Sequence, residues 1–367
     1  MAISKIPSAG FQDNVKFRNI IINGDMSIAQ RGTSETGVTS GGYKTIDRFR
    51  WTVSAGDTVT LSQSTDTPSG QGFSNSFKVD VTTADTSIGA DEYAFVEQSV
   101  EAQNCQYLNY GTSSAKTLTL SFWVKSSKTG TYCIDIDKPD NTRYNYVAEY
   151  TIDSASTWEK KTIIIAPDSN IQASGGAIDN NNGEGFAVKF TLATGSNRQG
   201  TNETWNTSVV DGTSNQVNFL DNTANEWYIT GVQLEAGETA SDFEFLPVDV
   251  NLQRCQRYYQ LIVGGAGQSW GSAVYYASNA VYSSNFLKTE MRAVPTLDQV
   301  TGNDIHSLFR NNAADNFDGI DNIGSRTTTR CVEWNVTTNV SGTGGQAGFL
   351  RSGNSATTAF IGFDAEL

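Results

Sequence analysis

Alternation of apolar and polar residues in several short segments is the feature that most constrains how this chain folds. In LTLSFWVKS (118–126), every second residue from Leu118 to Val124 is apolar, and the residues between them are mostly polar. GFAVKFTLATG (185–195) has the same period of two. Successive side chains of a β-strand point to opposite faces, so this pattern predicts strands with one buried and one exposed face.

Further strand candidates occur at intervals along the first two thirds of the chain, separated by turn-rich stretches such as SSKTG and DNNNGEG. In EWYITGVQLEAG, we expect Tyr228, Val232 and Leu234 to share one face. No repeat of 20–50 residues is present, so a solenoid or β-helix is not expected. Short antiparallel strands joined by polar turns indicate a sandwich or jelly roll. The other candidates are TYCIDID (131–137), YVAEYTID (146–153) and WEKKTIIIAPD (158–168).

The segment RNIIINGDM (18–26) combines three isoleucines with an Asn-Gly turn. We interpret it as the first strand of the sandwich, paired with EWYITGVQL from the far end of the domain. Residues 1–17 before it show no core pattern. They form either a solvated tail or an extended arm that docks on a partner.

The pattern changes at residue 247, where PVDVNLQRCQRYYQ has helical apolar spacing and Asp249 as a candidate N-cap. Strand patterns resume afterwards and continue to TAFIGFDAEL. With 367 residues, two or three domains are expected. The sequence therefore predicts an all-β protein with an arm (1–17), a jelly-roll β-sandwich (18–247), a connector helix (248–259) and a second, smaller β-sandwich (260–367).

Charge and composition exclude several classes of function. The net charge of −14 disfavours nucleic acid and anionic membranes as partners, because both would be repelled. A single histidine, His306, removes histidine-cluster metal sites; we expect an ordinary surface or packing residue in a loop or short helix. The four cysteines show no CxxC pair, and we interpret them as free, mostly buried thiols of a protein assembled in a reducing cytoplasm. Neither a signal peptide nor an apolar run of 18 residues is recognisable.

Aromatic residues at polar positions are the candidate glycan-binding groups. Trp123 falls on the polar face of its strand, where it either stacks on a sugar ring or packs against a loop or a neighbouring subunit. In the last domain, four aromatic residues lie among small polar residues, a composition typical of adaptable binding surfaces and of ordinary strands. These are Trp270, Tyr275, Tyr276 and Tyr282.

Several long motifs, in order along the chain, resemble a family of bacteriophage tail-fibre and receptor-binding proteins common in marine and cyanobacterial phages. They are RNIIINGDMSIAQRGTS, YKTIDRFRW, AKTLTLSFWVKSSKTGTYCIDI, TWEKKTIIIAPD and WYITGVQLEAGETASDFEFLPVDVNLQRCQRYYQ. The resemblance covers most of residues 18–260, with EMRAVPTL and the C-terminal strand in the last domain. It implies a carbohydrate-binding jelly roll in a virion component that is usually homotrimeric.

Related carbohydrate-binding jelly rolls hold a structural calcium ion near the positions of NGDM and QLEAG. By that resemblance, Asp25 and Glu235 would supply the carboxylates. This chain departs from the pattern at Thr230 and Gly231, where the related modules have an aspartate. A polar cap or a salt bridge at these positions is the alternative, and no other cofactor is expected.

The resulting hypothesis is a non-enzymatic tail fibre or receptor-binding appendage that recognises a host surface glycan. The predicted helix has an apolar stripe that consists of Val248, Leu252, Cys255 and Tyr259. This stripe either meets two copies of itself on a trimer axis or packs on the protomer's own jelly roll. No catalytic motif is recognisable. The alternatives are a polysaccharide depolymerase and a purely structural fibre or baseplate protein without receptor contact.

Overall fold

The computed structural model describes residues 17–353 and 356–367 and shows the predicted all-β architecture. The expected arm, apart from Phe17, lies outside the described residues. The strands up to residue 236 are β1 (Ser34–Val38), β2 (Gly42–Tyr43), β3 (Arg50–Val53), β4 (Thr58–Ser64), β5 (Ser76–Thr83), β6 (Tyr93–Glu101), β7 (Leu118–Ser126), β8 (Gly130–Lys138), β9 (Tyr144–Ile152), β10 (Glu159–Ile165), β11 (Glu184–Thr194), β12 (Thr204–Asn206) and β13 (Glu226–Ala236).

These strands form two packed sheets, which we call the first unit. One sheet has the order β1-β4-β5-β13-β7-β10 and the other β12-β9-β8-β11-β6-β3-β2. The alternation predicted for β7 and β11 is confirmed, because Leu120 and Phe122 of β7 and Phe190 of β11 are fully buried between the sheets. The residues that alternate with these core residues along each strand lie on the outer face of the sheet.

A β-bulge in β13 changes which residues face the core. The pairing of β13 with β7 is irregular between Thr230 and Gln233, and Gly231 there has a φ of +63°. A Cβ at Gly231 would lie 2.6 Å from the ring of Phe73. Because the bulge shifts the alternation, Val232 and Leu234 point into the core as predicted, whereas Tyr228 points to the outer face, against the prediction.

Residues 18–26 lie beside β13, as expected, but they do not form a regular strand. The backbone N–H of Ile20 donates to Leu234 O at 2.9 Å, while the Asn19 side chain donates to Val232 O and accepts from the Leu234 N–H, each at 3.0 Å. A Cβ at Gly24 would lie 2.1 Å from Val232 O, so only glycine allows this approach. Side-chain bonds here replace part of a strand ladder.

Two α-helices occur in the described chain, the single turn α1 (Ser169–Gln172) and the connector α2 (Val248–Gln256). Pro247, rather than Asp249, occupies the N-cap position of α2. Its buried face packs on Ile22 and Ile28 of the first unit through Cys255.

The second unit is a smaller sandwich of two antiparallel sheets, ordered β14-β23-β17 and β19-β18-β22-β15-β16-β21-β20. Its core contains Trp334, Leu350 and Phe363. Its strands are β14 (Tyr259–Gly264), β15 (Ser269–Ala277), β16 (Ala280–Phe286), β17 (Thr296–Val300), β18 (His306–Arg310), β19 (Ala313–Phe317), β20 (Asn322–Ile323), β21 (Cys331–Val336), β22 (Ala347–Ser352) and β23 (Phe360–Asp364).

His306 begins β18 and is fully buried, which corrects the expectation of a loop or short helix. Its ring lies 5.6 Å from Trp270 and 5.7 Å from Phe317, and neither ring nitrogen has a hydrogen-bond partner within the described residues. Burial without a partner disfavours the charged form and lowers the pKa of His306 to about 4.

A buried ion cluster joins the two units. Arg31 of the first unit pairs with Asp364 at 2.9 Å and with Glu366 at 3.3 Å, and Arg48 also pairs with Glu366. The side chains of Arg48 and Glu366 are 1% and 4% exposed. The guanidinium of Arg48 also stacks 3.5 Å from the ring centroid of Tyr258. The residues after β23 are thereby fixed against the first unit.

Cys105, Cys133 and Cys255 are buried free thiols, and Cys331 is half-buried and free, as predicted. In the described part of the chain, no helix is both long and apolar enough to cross a membrane.

Candidate functional site

The outer face of the seven-stranded sheet in the second unit carries an unusual set of solvent-exposed rings. Tyr276 is 79% exposed, Phe349 is 62% exposed and Phe286 is 84% exposed. Exposed sheet faces are normally polar, so several exposed rings on one face indicate an interaction surface. We call this surface the aromatic face, and it consists of Val274, Tyr276, Tyr282, Phe286, Phe309 and Phe349.

The alternation along each strand places these side chains outward. In β15, Ala273 and Tyr275 enter the core, so Val274 and Tyr276 point to solvent. In β22, the buried residue is Leu350, which turns its neighbour Phe349 outward. The same rule applies to β16 and β18. Four adjacent strands thus contribute to one surface.

Cross-strand pairing brings the rings together. Val274 is opposite Tyr282, and Phe349 is opposite Phe309. The rings of Tyr276 and Tyr282 are 5.3 Å apart at 54°. The guanidinium of Arg351 lies 4.2 Å from the centroid of Phe309. The face therefore combines adjacent rings with a cation that holds one of them in place.

A shallow groove flanks the rings on each side. One has a volume of about 370 Å³ and includes Tyr282, Ser284, Arg326 and Glu333 in its lining. The other has a volume of about 610 Å³ and lies along Phe309, with Asn316, Arg351 and Thr358 in its lining. Both grooves place hydroxyl, carboxylate, amide or guanidinium groups beside an aromatic ring. Such convergence of polar groups and rings is suited to binding a polar ligand with an apolar surface.

Two of the four aromatic candidates of the second unit are corrected by the structure. Trp270 is 7% exposed and Tyr275 is 0% exposed, and both belong to the core. Adjacent strand residues point to opposite faces, so Tyr275 and Tyr276 could not both be outward. Tyr276 and Tyr282 do lie on the aromatic face. The sequence reasoning missed the phenylalanines, although adjacency of Phe349 and Leu350 in a strand requires one of them to face outward.

Trp123 lies on the outer face of the six-stranded sheet and is half-buried. Its register neighbours are Lys160 of β10 and Thr230 of β13. Its indole N–H donates to no side chain or carbonyl within the described residues. Next to it, the Trp158 indole donates to Asp66 at 2.9 Å, so this face also carries a second tryptophan. The role of Trp123 in glycan binding stays a prediction.

The helix stripe expected at an oligomer interface does not form a free surface. Cys255 and Tyr259 are fully buried within the chain, and Leu252 packs against the same cluster as Cys255. Val248 alone of the stripe is strongly exposed, at 68%. The helix therefore packs on the protomer's own first unit, because Ile22 and Ile28 offer its apolar side a surface there.

The candidate calcium ligands have other partners. Asp25 accepts hydrogen bonds from Ser27 and Asn251, each at 3.1 Å. Glu235 accepts from Ser241 and lies 3.6 Å from Arg18. Among residues 17–353 and 356–367, no group of three or more His, Cys, Asp or Glu side chains is arranged to hold a metal ion.

The carboxyl group whose pKa is raised most, Asp135, lies elsewhere, in a buried cluster of the first unit. Burial raises the pKa of Asp135 to about 8, while Lys189 and Arg143 outweigh burial at Asp137 and lower its pKa. Lys189 is within 3.2 Å of Asp135, Asp137 and Asp211. The three aspartates are at most 3% exposed, so this cluster is an internal ion network and not an accessible acid–base pair.

No protein-family model and no curated protein sequence matches this chain. Among solved structures, it is similar to the enzymatically active domain of tailspike protein 4 from bacteriophage CBA120, with 14% identity over 60% of this chain and a TM-score of 0.30. The chain spans 22% of that structure's length. A family 11 carbohydrate-binding module from Clostridium thermocellum matches at 14% identity over 57% of this chain and 99% of the module, with a TM-score of 0.30. A xylan-binding domain from Paenibacillus barcinonensis matches at 9% identity over 56% of this chain and 94% of the domain, with a TM-score of 0.27. Similarities this weak do not indicate the function of this chain.

Proposed function

We propose that this protein is a non-catalytic glycan-recognition protein that contacts its ligand through the aromatic face of the second unit. The observation that carries this proposal is the exposure of Tyr276 and Phe349, at 79% and 62%, on adjacent strands of a regular sheet. Rings on a sheet lose little conformational entropy on binding, because the strand fixes the backbone and the side chain has only two rotatable torsions.

The chemistry of the face suits a polysaccharide. The C–H face of a pyranose ring is apolar and stacks on an aromatic ring, while its hydroxyl groups need hydrogen-bond partners at the edge. Here Ser284 and Glu333 on one side and Arg351 on the other lie beside the rings. Strands are spaced about 4.8 Å apart, so the four contributing strands span a length that accommodates several sugar rings in a row.

The setting we propose is a phage virion, with the protein acting as a tail fibre or receptor-binding appendage assembled in the bacterial cytoplasm. The motifs from RNIIINGDM to QLEAG support this proposal by their resemblance to that family. The N-terminal arm would attach to other virion proteins and the second unit would point outward. A homotrimer belongs to the same proposal; light scattering should then give roughly three times the 39.7 kDa chain mass.

Binding of purified protein to host surface polysaccharide tests the glycan proposal. Tyr276→Ala and Phe349→Ala should each weaken binding by about 1–3 kcal/mol, the scale for losing an aromatic anchor, with little change in melting temperature. Val300→Ala is the matched control, because Val300 is 43% exposed in the same unit but belongs to the other sheet. Its binding should equal that of the wild type.

Three results would contradict the proposal. Unchanged binding in both ring variants would show that the aromatic face does not contact the glycan. Dissociation of an oligomer by Tyr276→Ala, with glycan binding intact, would make the face a subunit contact. New reducing ends released from the polysaccharide would make the protein a depolymerase.

A further inference from the structure

Another pocket, separate from the aromatic face and its two grooves, lies where the two units meet. Its volume is about 620 Å³, within the range of pockets that hold small ligands. It is bounded by α2, by the helical turn at residues 102–108 and by the start of the described chain. The lining includes Phe17, Asn104, Tyr107, Gln253 and Arg254.

Arg254 gives this pocket a positive charge that has no salt-bridge partner within the described residues. Its guanidinium donates to Asn19 O at 3.4 Å. Arg257, one turn further on, is by contrast neutralised by Glu101 at 2.5 Å. The nearby carboxylate of Glu244 accepts the backbone N–H groups of Phe17 and Asn19, each at 3.0 Å. Burial lowers the pKa of Arg254, whereas the hydrogen bonds that Arg257 donates to Glu101 raise the pKa of Arg257.

The rest of the lining offers groups that recognise a sugar. Tyr107 is 41% exposed and presents a ring at the pocket wall. Asn104 and Gln253 are exposed, and their amide groups make no hydrogen bond to any other described residue. A simple inorganic anion would use the guanidinium alone. The ring and the free amides suit a larger ligand that carries hydroxyl groups.

We propose that this pocket binds a sugar that carries a carboxylate, such as a uronic acid residue of an acidic polysaccharide. The planar guanidinium of Arg254 matches the two oxygens of a carboxylate. The sugar ring lies against Tyr107, and Asn104 and Gln253 bind its hydroxyl groups. Because the chain as a whole carries a net charge of −14, such a ligand needs a local cation of this kind to overcome general repulsion.

Isothermal titration calorimetry with trigalacturonic acid tests this site. The wild-type protein should bind it, with affinity that falls as salt increases, and should bind neutral galactotriose at least about tenfold more weakly. Arg254→Gln should lower trigalacturonate affinity by about tenfold or more, and Arg254→Lys by less. Tyr107→Ala should also weaken binding. Because Tyr107 is exposed, this variant should fold normally and tests the site even if the arginine variants do not fold.

Arg330→Gln is the matched control, because Arg330 is an exposed arginine 2.7 Å from Glu290 in the second unit, and its variant should bind like the wild type. Tyr276→Ala should leave trigalacturonate binding intact, which separates this site from the aromatic face. Absence of binding at millimolar trigalacturonate would overturn the proposal. So would an affinity equal to that of the wild type in both Arg254→Gln and Tyr107→Ala. Equally strong binding of acetate or inorganic phosphate would overturn it as well and leave a simple anion site.

Discussion

Replacing Glu366 by alanine should destabilise the protein far more than its position one residue from the C-terminus suggests. The carboxylate is 4% exposed and pairs with both Arg31 and Arg48. Burial disfavours the charge on Arg48, but Glu366 together with Tyr258, Tyr43 and Cys255 outweighs burial, and the pKa of Arg48 is raised. A guanidinium is not deprotonated in proteins, so Arg48 stays charged in Glu366→Ala and loses its carboxylate partner.

Removing one partner of a buried ion pair costs about 3–5 kcal/mol. The lower end applies here, because Arg31 keeps Asp364 at 2.9 Å and Arg48 keeps its stacking on Tyr258. We therefore expect Glu366→Ala to lower the free energy of unfolding by about 3 kcal/mol. Urea unfolding followed by tryptophan fluorescence measures this loss.

Two comparisons test the reasoning. Arg48→Met combined with Glu366→Leu removes both charges, so the double variant should be more stable than Glu366→Ala. Glu290→Ala removes one partner of the exposed pair with Arg330, where both side chains are at least 48% exposed, and should leave the unfolding midpoint unchanged. A loss below about 1 kcal/mol for Glu366→Ala would show that the cluster behaves like a surface ion pair, and the argument from burial would be wrong.

Three further predictions address single residues. Trp123→Ala should weaken glycan binding by about 1–3 kcal/mol with a small effect on melting temperature if Trp123 contacts sugar; a large stability loss with unchanged binding would show packing alone. His306 has a folded-state pKa of about 4 against an ordinary value of 6.5, so the unfolded chain takes up a proton at this residue before the folded protein does. The free energy of unfolding therefore falls as the pH decreases from 6.5 to about 4, by at most about 3 kcal/mol. His306→Phe should remove this acid dependence in pH-series melting experiments, and an unchanged pH profile would contradict it. Gly231→Val should destabilise by about 2 kcal/mol or more in urea unfolding, because φ is +63° and Phe73 fills the space; full stability would contradict the bulge geometry.

Alternation predicted the fold well wherever strands are regular. The buried residues of β7 and β11, such as Phe122 and Phe190, followed from a period of two, because one face of each strand must enter the core. The same rule failed at β13, where Gly231 inserts a bulge and turns Tyr228 outward. A bulge changes the phase without changing the composition, so the sequence pattern does not reveal it.

The candidate sites were harder to predict, because they depend on contacts between distant segments. Tyr276 and Tyr282 were recognisable as binding candidates from composition, but their exposure depends on which neighbours enter the core. The pocket at Arg254 combines residues near positions 17, 104 and 254, and its charge depends on the absence of a carboxylate partner in the described structure. Cys255 of the helix stripe packs on Ile22, some 230 residues earlier in the chain. Apolar spacing predicts that a helix face is buried but does not specify the surface on which it packs.

The contact between Asn19 and Leu234 also has a consequence for how the protein folds. Their hydrogen bond joins residues 215 positions apart in the chain. β13 lies between β5 and β7, so the six-stranded sheet has a gap at its centre until β13 has been synthesised. High contact order of this kind slows folding to the range of milliseconds to seconds, since long loops must close before native contacts compensate. During synthesis, the edges of β5 and β7 therefore stay open, and this is the interval in which a nascent chain is most exposed to aggregation.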